Sequence, residues 1–155
     1  MPNWKQLEKD ISEWLSTFRS ANVQFYNAHQ AIAGLRKFRF RSDGMLASDR
    51  VLVAVEVEAG QVHPDTNVGK YWLLYAEHRQ YQRIILFHVY TPDCRSKGRK
   101  KLGEFYAKQM KGKVPLDYIQ RDFHDTTKDY QAVLAEIKAE IETVVKREFG
   151  AVNAS

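Results

Sequence analysis

The hydrophobic pattern of the chain is strongest between Val51 and Glu58, where the sequence reads VLVAVEVE. This β-branched run predicts a strand, because such side chains pack well on a pleated surface. Neighbouring side chains of a strand point to opposite faces, so the valines share one face, while Leu52, Ala54, Glu56 and Glu58 share the other. The first half is apolar on both faces, which is typical of a central strand covered on both sides.

Apolar residues at helical spacing predict helices on either side of this strand. The first runs from Trp4 to Phe18 with Asn3 as its cap, and the second covers residues 66–80. Either Asp65 or Thr66 would cap that second helix. The longest covers residues 126–149 and carries a continuous apolar stripe.

Further strands are predicted at residues 35–41, 83–91 and 114–119, the last at a sheet edge because Pro115 cannot donate a ladder hydrogen bond. Residues 22–33 stay open between helix and loop. The tail, residues 150–155, is expected to fray. His88 falls on the apolar parity of the 83–91 strand, so we expect a hydrogen-bonded core histidine there.

Three acidic residues are predicted to meet at the sheet edge. Asp43 precedes the short apolar segment Met45-Leu46, and a polar turn at residues 48–50 then leads into the valine-rich strand. An acid before one hairpin strand can lie beside Glu56 and Glu58 near the end of the next, depending on the strand register. Neighbouring buried carboxylates are costly unless a cation lies between them, which points to a metal ion. The alternative is a strand that simply emerges into solvent at its acidic end.

This arrangement resembles the PD-(D/E)xK nuclease superfamily, whose core is the restriction-endonuclease-like fold. Ser42-Asp43 stands for the "PD" and Glu56-Val57-Glu58 for the "(D/E)xK". Ser42 replaces the proline and Glu58 replaces the lysine of the motif. In some members the lysine has moved to the following helix, and Lys70 lies where such a residue is expected.

The length of 155 residues predicts a single domain over residues 1–155. The resemblance implies an α/β fold with an αβββαβ core at about residues 4–120 and a mixed sheet flanked by helices. It also implies that Asp43 and Glu56 bind Mg²⁺, with Mn²⁺ as an alternative, aided by the carbonyl of Val57. Glu58 would act as ligand or base, and Lys70, reaching back towards Glu58, would stabilise the phosphate or orient the water. The expected activity is hydrolysis of phosphodiester bonds, most simply in DNA, with RNA left open. An inactive domain that binds nucleic acid or protein is the alternative.

Composition is that of a globular protein, with 44% hydrophobic and 28% charged residues. The lone Cys94 excludes an internal disulfide and a cysteine-rich zinc site, and a cytoplasmic location without membrane association is the default expectation. A homodimer would suit cleavage of two strands by one site each.

Charge is concentrated in one segment. The chain carries a net +5, yet residues 95–113 contain eight cations and a single acid, Glu104. Their first seven positions predict a flexible phosphate-binding loop, and a helix is expected before the last strand, with Phe105 and Tyr106 as packing residues. The expected nucleic-acid contacts are Arg39, Arg41, Gln61, His63, Arg95, Lys97, Arg99, Lys100 and Lys101.

Overall fold

The computed structural model describes residues 2–32, 39–60, 63–94 and 97–153. The elements in chain order are α1 (Lys5–Leu15), β1 (Phe18–Arg19), β2 (Gln24–Asn27), β3 (Gly44–Ala47), β4 (Val51–Glu58), α2 (Thr66–Glu77), β5 (Arg83–Tyr90), α3 (Lys97–Met110), β6 (Leu116–Asp122), α4 (Tyr130–Phe149) and β7 (Val152–Asn153). The protein is therefore of the α/β class, as the sequence predicted.

Five strands form one mixed sheet in the order β2-β3-β4-β5-β6. The first three form an antiparallel meander, and β5 and β6 then add in parallel to β4 after helical crossovers. Glu58, Tyr90 and Asp122 lie side by side at the carboxyl ends of the three parallel strands. The β4 strand is central, and β6 is an edge strand, as expected.

The two faces of β4 are covered by different helices. Val53, Val55 and Val57 belong to the core cluster that contains the buried residues of α1 and α4. Leu52 and Ala54 belong to a second cluster with the buried residues of α2. The two-sided burial predicted for this strand is confirmed, and it places Glu56 and Glu58 under α2 and α3.

Three local predictions near the amino terminus need correction or fall outside the described residues. The α1 cap is Trp4, not Asn3, and it makes no side-chain cap bond. The ambiguous segment contains strand β2, which pairs antiparallel with β3. The 35–41 strand lies mostly outside the described residues, although Phe40 is buried and forms an isolated bridge with Ile32.

The carboxyl-terminal segment is folded back onto the protein as far as it is described, so the frayed tail was a wrong prediction for residues 151–153. Ala151 is buried, and β7 pairs antiparallel with β1. The hydroxyl of Ser20 also donates to the carbonyl of Phe149 at 2.7 Å. These contacts attach the end of α4 to the loop after α1.

We expect Gly150→Ala to lower the free energy of unfolding by about 1 kcal/mol. Gly150 caps α4 with φ of 61°, a left-handed conformation that strains a residue with a Cβ. Chemical denaturation measures the loss. Gly69→Ala is the matched control, since a Cβ there meets nothing within 4 Å and the helical position favours alanine. Equal destabilisation by both substitutions would contradict this account of the cap.

No helix in the described parts of the chain is long and apolar enough to cross a membrane.

Candidate active site

The hairpin of β3 and β4 brings Asp43 against the end of β4. The Asp43 N–H donates to the carbonyl of Val55 at 3.2 Å, which continues the ladder one residue before β3 begins. In return the Val57 N–H donates to Asp43 Oδ2 at 2.6 Å. The aspartate carboxylate is thus fixed beside the peptide that follows Glu56, as the hairpin pattern predicted.

Helix α2 supplies two partners to Glu56, whose side chain is almost fully buried. The Tyr71 hydroxyl donates to Glu56 Oε1 at 2.9 Å, and the Lys70 ammonium pairs with the same oxygen. Lys70 also donates to the carbonyl of Arg41 at 2.6 Å. The expectation that Lys70 reaches Glu58 was wrong: the rotation of α2 directs it to Glu56 and to the chain just before Asp43.

Burial controls the charge of both acids. It raises the pKa of Asp43 to about 9, and repulsion from the Glu56 carboxylate adds to the increase while the Val57 N–H opposes it. It also raises the pKa of Glu56 to about 7, although the Lys70 ammonium and the Tyr71 hydroxyl both favour the ionised form. One lysine does not compensate two buried carboxylates, so the pair favours a further cation or a proton.

We therefore expect the metal-free protein to lose stability as the pH rises through about 7 for Glu56 and about 9 for Asp43. Both pKa values are higher in the folded state than in the unfolded chain, so folding takes up protons and the stabilisation is complete only in acid. Urea denaturation in EDTA across this range measures the effect. Glu56→Gln should remove the part that is lost between about pH 4.5 and about pH 7, and a wild type that becomes more stable towards alkaline pH would contradict the assignment.

Glu58 does not join the Asp43–Glu56 pair but makes its own buried network. Its Oε1 atom lies 2.6 Å from His88 Nε2 and accepts from the Asn67 amide at 2.7 Å. The other ring nitrogen of His88 is 2.7 Å from the Tyr118 hydroxyl. The Oε2 atom of Glu58 has no hydrogen-bond partner in the described parts of the chain. His88 is the hydrogen-bonded core histidine that the sequence predicted, and its partner is the glutamate at the motif's lysine position.

The fit of a metal to these residues rests on the Asp43–Glu56 pair. Within the described ranges, no group of three or more His, Cys, Asp or Glu side chains is arranged to hold a metal ion. The Lys70 ammonium pairs with Glu56 and also favours the ionised form of the half-buried Asp43, and carboxylate oxygens are the donors that Mg²⁺ prefers. A cation held by these two carboxylates alone would keep several of its own water ligands.

The predicted nucleic-acid residues fall into three groups. Arg39, Arg41, His63 and Lys101 are exposed. Arg99 and Lys100 form ion pairs with Asp65 and Asp122, respectively. Gln61, Arg95 and the side chain of Lys97 lie outside the described residues. The predicted loop over residues 95–101 was wrong from Lys97 onward, because α3 begins there.

A cavity of about 230 Å³ opens at the carboxyl ends of β5 and β6. Its walls include Lys100 and Lys101 together with Asp122 and His124, so its lining carries both cations and acids. Asp43, Glu56 and Lys70 are not among its lining residues. The acid pair carries the more specific chemistry, because its buried carboxylates are incompletely compensated.

Sequence reasoning missed Tyr71 and Asn67 as partners of the two glutamates. Their spacing held a usable signal, since Asn67, Lys70 and Tyr71 are three and four residues apart and share one side of α2. Asp65, proposed as a cap, lies at the N-cap position of α2 without a side-chain cap bond and pairs with Arg99 instead.

Comparisons of the chain with protein-family models, with curated proteins and with solved structures find no match.

Proposed function

We propose that the protein is a metal-dependent nuclease of the restriction-endonuclease-like fold that hydrolyses phosphodiester bonds, most simply in DNA. One observation carries the proposal: the buried Glu56 and the half-buried Asp43 repel each other as neighbouring carboxylates, and the Lys70 ammonium pairs with Glu56. The element order, a helix, an antiparallel meander, a helix and a parallel strand, is compatible with that fold.

Asp43 and Glu56 would hold the metal, and Mg²⁺ is the simplest candidate because both donors are carboxylates. Bound there, Mg²⁺ would neutralise charge at the scissile phosphate and lower the pKa of an attacking water. The chain contributes the fixed position of the donors, since Val57 orients Asp43 and Tyr71 orients Glu56.

Lys70 is the residue expected to contact the phosphate. Its side chain is only 16% exposed and its ammonium already lies at the acids, with the ring of Phe40 at 5.4 Å. With Glu56 engaged as a metal ligand, Lys70 would be the cation placed to pair with a phosphate oxygen. The position matches a lysine displaced from the motif to the following helix.

A second candidate is an inactive domain of the same fold that binds nucleic acid or a protein. The observation in its favour is Glu58, which replaces the motif lysine and is directed to His88 rather than to the acid pair.

The experiment is cleavage of supercoiled plasmid and of single-stranded and branched oligonucleotides, with Mg²⁺ or Mn²⁺ against EDTA. Cleavage that needs the metal and disappears in Asp43→Asn is the expected result. Metal-independent cleavage, or equal cleavage by Asp43→Asn, would contradict the proposal. Binding without cleavage by folded protein would favour the inactive domain.

A further inference from the structure

Large apolar side chains are exposed together on the outer side of α2 and α3. Trp72 and Leu73 on α2 are each 42% exposed, and on α3 Phe105 is 54% and Tyr106 is 36% exposed. Among the described residues, one other large apolar side chain is similarly exposed. It is Val152 on strand β7, which pairs with β1 and not with the five-stranded sheet. The expectation that Phe105 and Tyr106 are packing residues was therefore wrong.

The two helices pack side by side, and on α3 the ring centres of Phe105 and Tyr106 lie 6.4 Å apart. A Cβ placed on Gly103 would lie 3.4 Å from Val68 of α2, and the ion pair of Arg99 joins the two helices one turn earlier. Tyr106 is three residues beyond Gly103 and therefore continues the same side of α3. The side of α2 that meets α3 continues from Val68 to Trp72 by the same spacing.

Lysines surround this aromatic surface. The ammonium of Lys113 lies 5.4 Å from the centre of the Trp72 ring. Lys101, Lys108 and Lys111 are exposed, and none of them has an ion-pair partner among the described residues. The two helices carry two acids, Glu77 and Glu104, against the exposed Lys101, Lys108, Lys111 and Lys113, so the surface is cationic as well as aromatic.

We propose that the aromatic surface binds single-stranded nucleic acid, with bases stacked on Trp72, Phe105 and Tyr106 and phosphates paired to the lysines. Exposed rings beside cations favour this ligand, because an unpaired strand offers a base face and a phosphate at each nucleotide. A duplex hides its base faces. A second copy of the chain would bring two lysine-rich surfaces together and is disfavoured by repulsion.

The surface lies next to the candidate active site, since Leu73 is one helical turn from Lys70 on α2. A strand held on the aromatic surface would therefore pass the acid pair. The claim that this strand is the substrate rests on the proposed nuclease function. Binding of the strand to the aromatic surface requires neither the metal nor cleavage.

Binding is tested by fluorescence anisotropy in EDTA with a labelled oligothymidylate of about 20 nucleotides, longer than the site of one small domain. The same length of duplex and of abasic strand are the comparison ligands. We expect the oligothymidylate to bind best, and Trp72→Ala and Phe105→Ala each to weaken it by about tenfold. Phe105→Tyr should retain binding, because it keeps the ring.

Lys108→Gln should weaken binding and make it less dependent on salt, since one phosphate contact is lost. Lys9→Gln, at an exposed position on α1, is the matched control and should change neither property. All these side chains are exposed, and circular dichroism checks that the variants fold.

Equal affinity for the abasic strand, or unchanged affinity in Trp72→Ala and Phe105→Ala, would overturn the proposal. Concentration-dependent self-association lost in Phe105→Ala, without an effect on the oligonucleotide, would overturn it in favour of a protein interface. Glu56→Gln is expected to bind the strand like the wild type. If the oligonucleotide binds but is not cleaved, the nuclease function fails and the binding surface stands, so the two proposals are tested separately.

Discussion

Replacing Glu56 with Gln is expected to lower metal-dependent cleavage by about a thousandfold, because metal-ion catalysis supplies several kcal/mol of transition-state stabilisation. The substitution removes the negative charge and keeps an oxygen that can accept from Tyr71. The fold should therefore survive. Initial rates of cleavage in Mg²⁺ measure the effect, with the affinity for an uncut oligonucleotide in EDTA as the second readout.

Stability separates this loss from damage to the fold. Since burial raises the pKa of Glu56 to about 7, the neutral amide should be tolerated at least as well as the carboxyl group near pH 8, and the free energy of unfolding should be equal or higher. Glu58→Gln is the matched control, because Glu58 lies in the network of His88 and Asn67. A Glu56→Gln protein that cuts at the wild-type rate would refute the assignment.

Replacing His88 with Ala is expected to lower the free energy of unfolding by about 1–3 kcal/mol, the usual cost of leaving a buried polar group without its hydrogen-bond partner. The change removes a partner 2.6 Å from Glu58 and leaves that carboxyl group, which is fully buried, with the Asn67 amide alone. The Tyr118 hydroxyl also loses its contact with the ring. Urea denaturation measures the loss.

The double variant Glu58→Leu/His88→Leu is the control for this network. Replacing both members of a buried polar pair with apolar residues removes the uncompensated group, so the double variant should be more stable than His88→Ala. A cost below about 1 kcal/mol for His88→Ala would show that the network contributes little. If Glu58→Gln retains cleavage, the role of Glu58 is to stabilise the fold and not to take part in catalysis.

Predictions from sequence succeeded where one pattern determined the element. The β-branched run of β4 and the apolar stripe of α4 identify a central strand and a long core helix, because burial on two faces or on one stripe leaves a periodic trace. Strand β2 left no such trace. Its four residues are polar or half-buried, and the strand exists because it pairs with β3.

The sequence identified Asp43, Glu56 and Lys70, but it grouped Glu58 with them and missed Tyr71. The spacing of the hairpin predicted that Asp43 lies beside Glu56. Whether Lys70 reaches Glu56 or Glu58 depends on the rotation of α2 over the sheet. The basic segment was assigned to a loop from its charge and Gly98. Residues Lys97–Met110 are helical instead, with Arg99 and Lys100 paired to acids distant in sequence.

The central claim is that Asp43 and Glu56 are a site for a divalent cation, and its most direct test is Mn²⁺ binding measured by electron paramagnetic resonance without nucleic acid. We expect one Mn²⁺ per chain, lost in Asp43→Asn and in Glu56→Gln and retained in Glu58→Gln. Binding should strengthen as the pH rises, because the cation replaces protons on both acids. Absence of binding to the folded wild type, or equal binding by Asp43→Asn, would contradict the account.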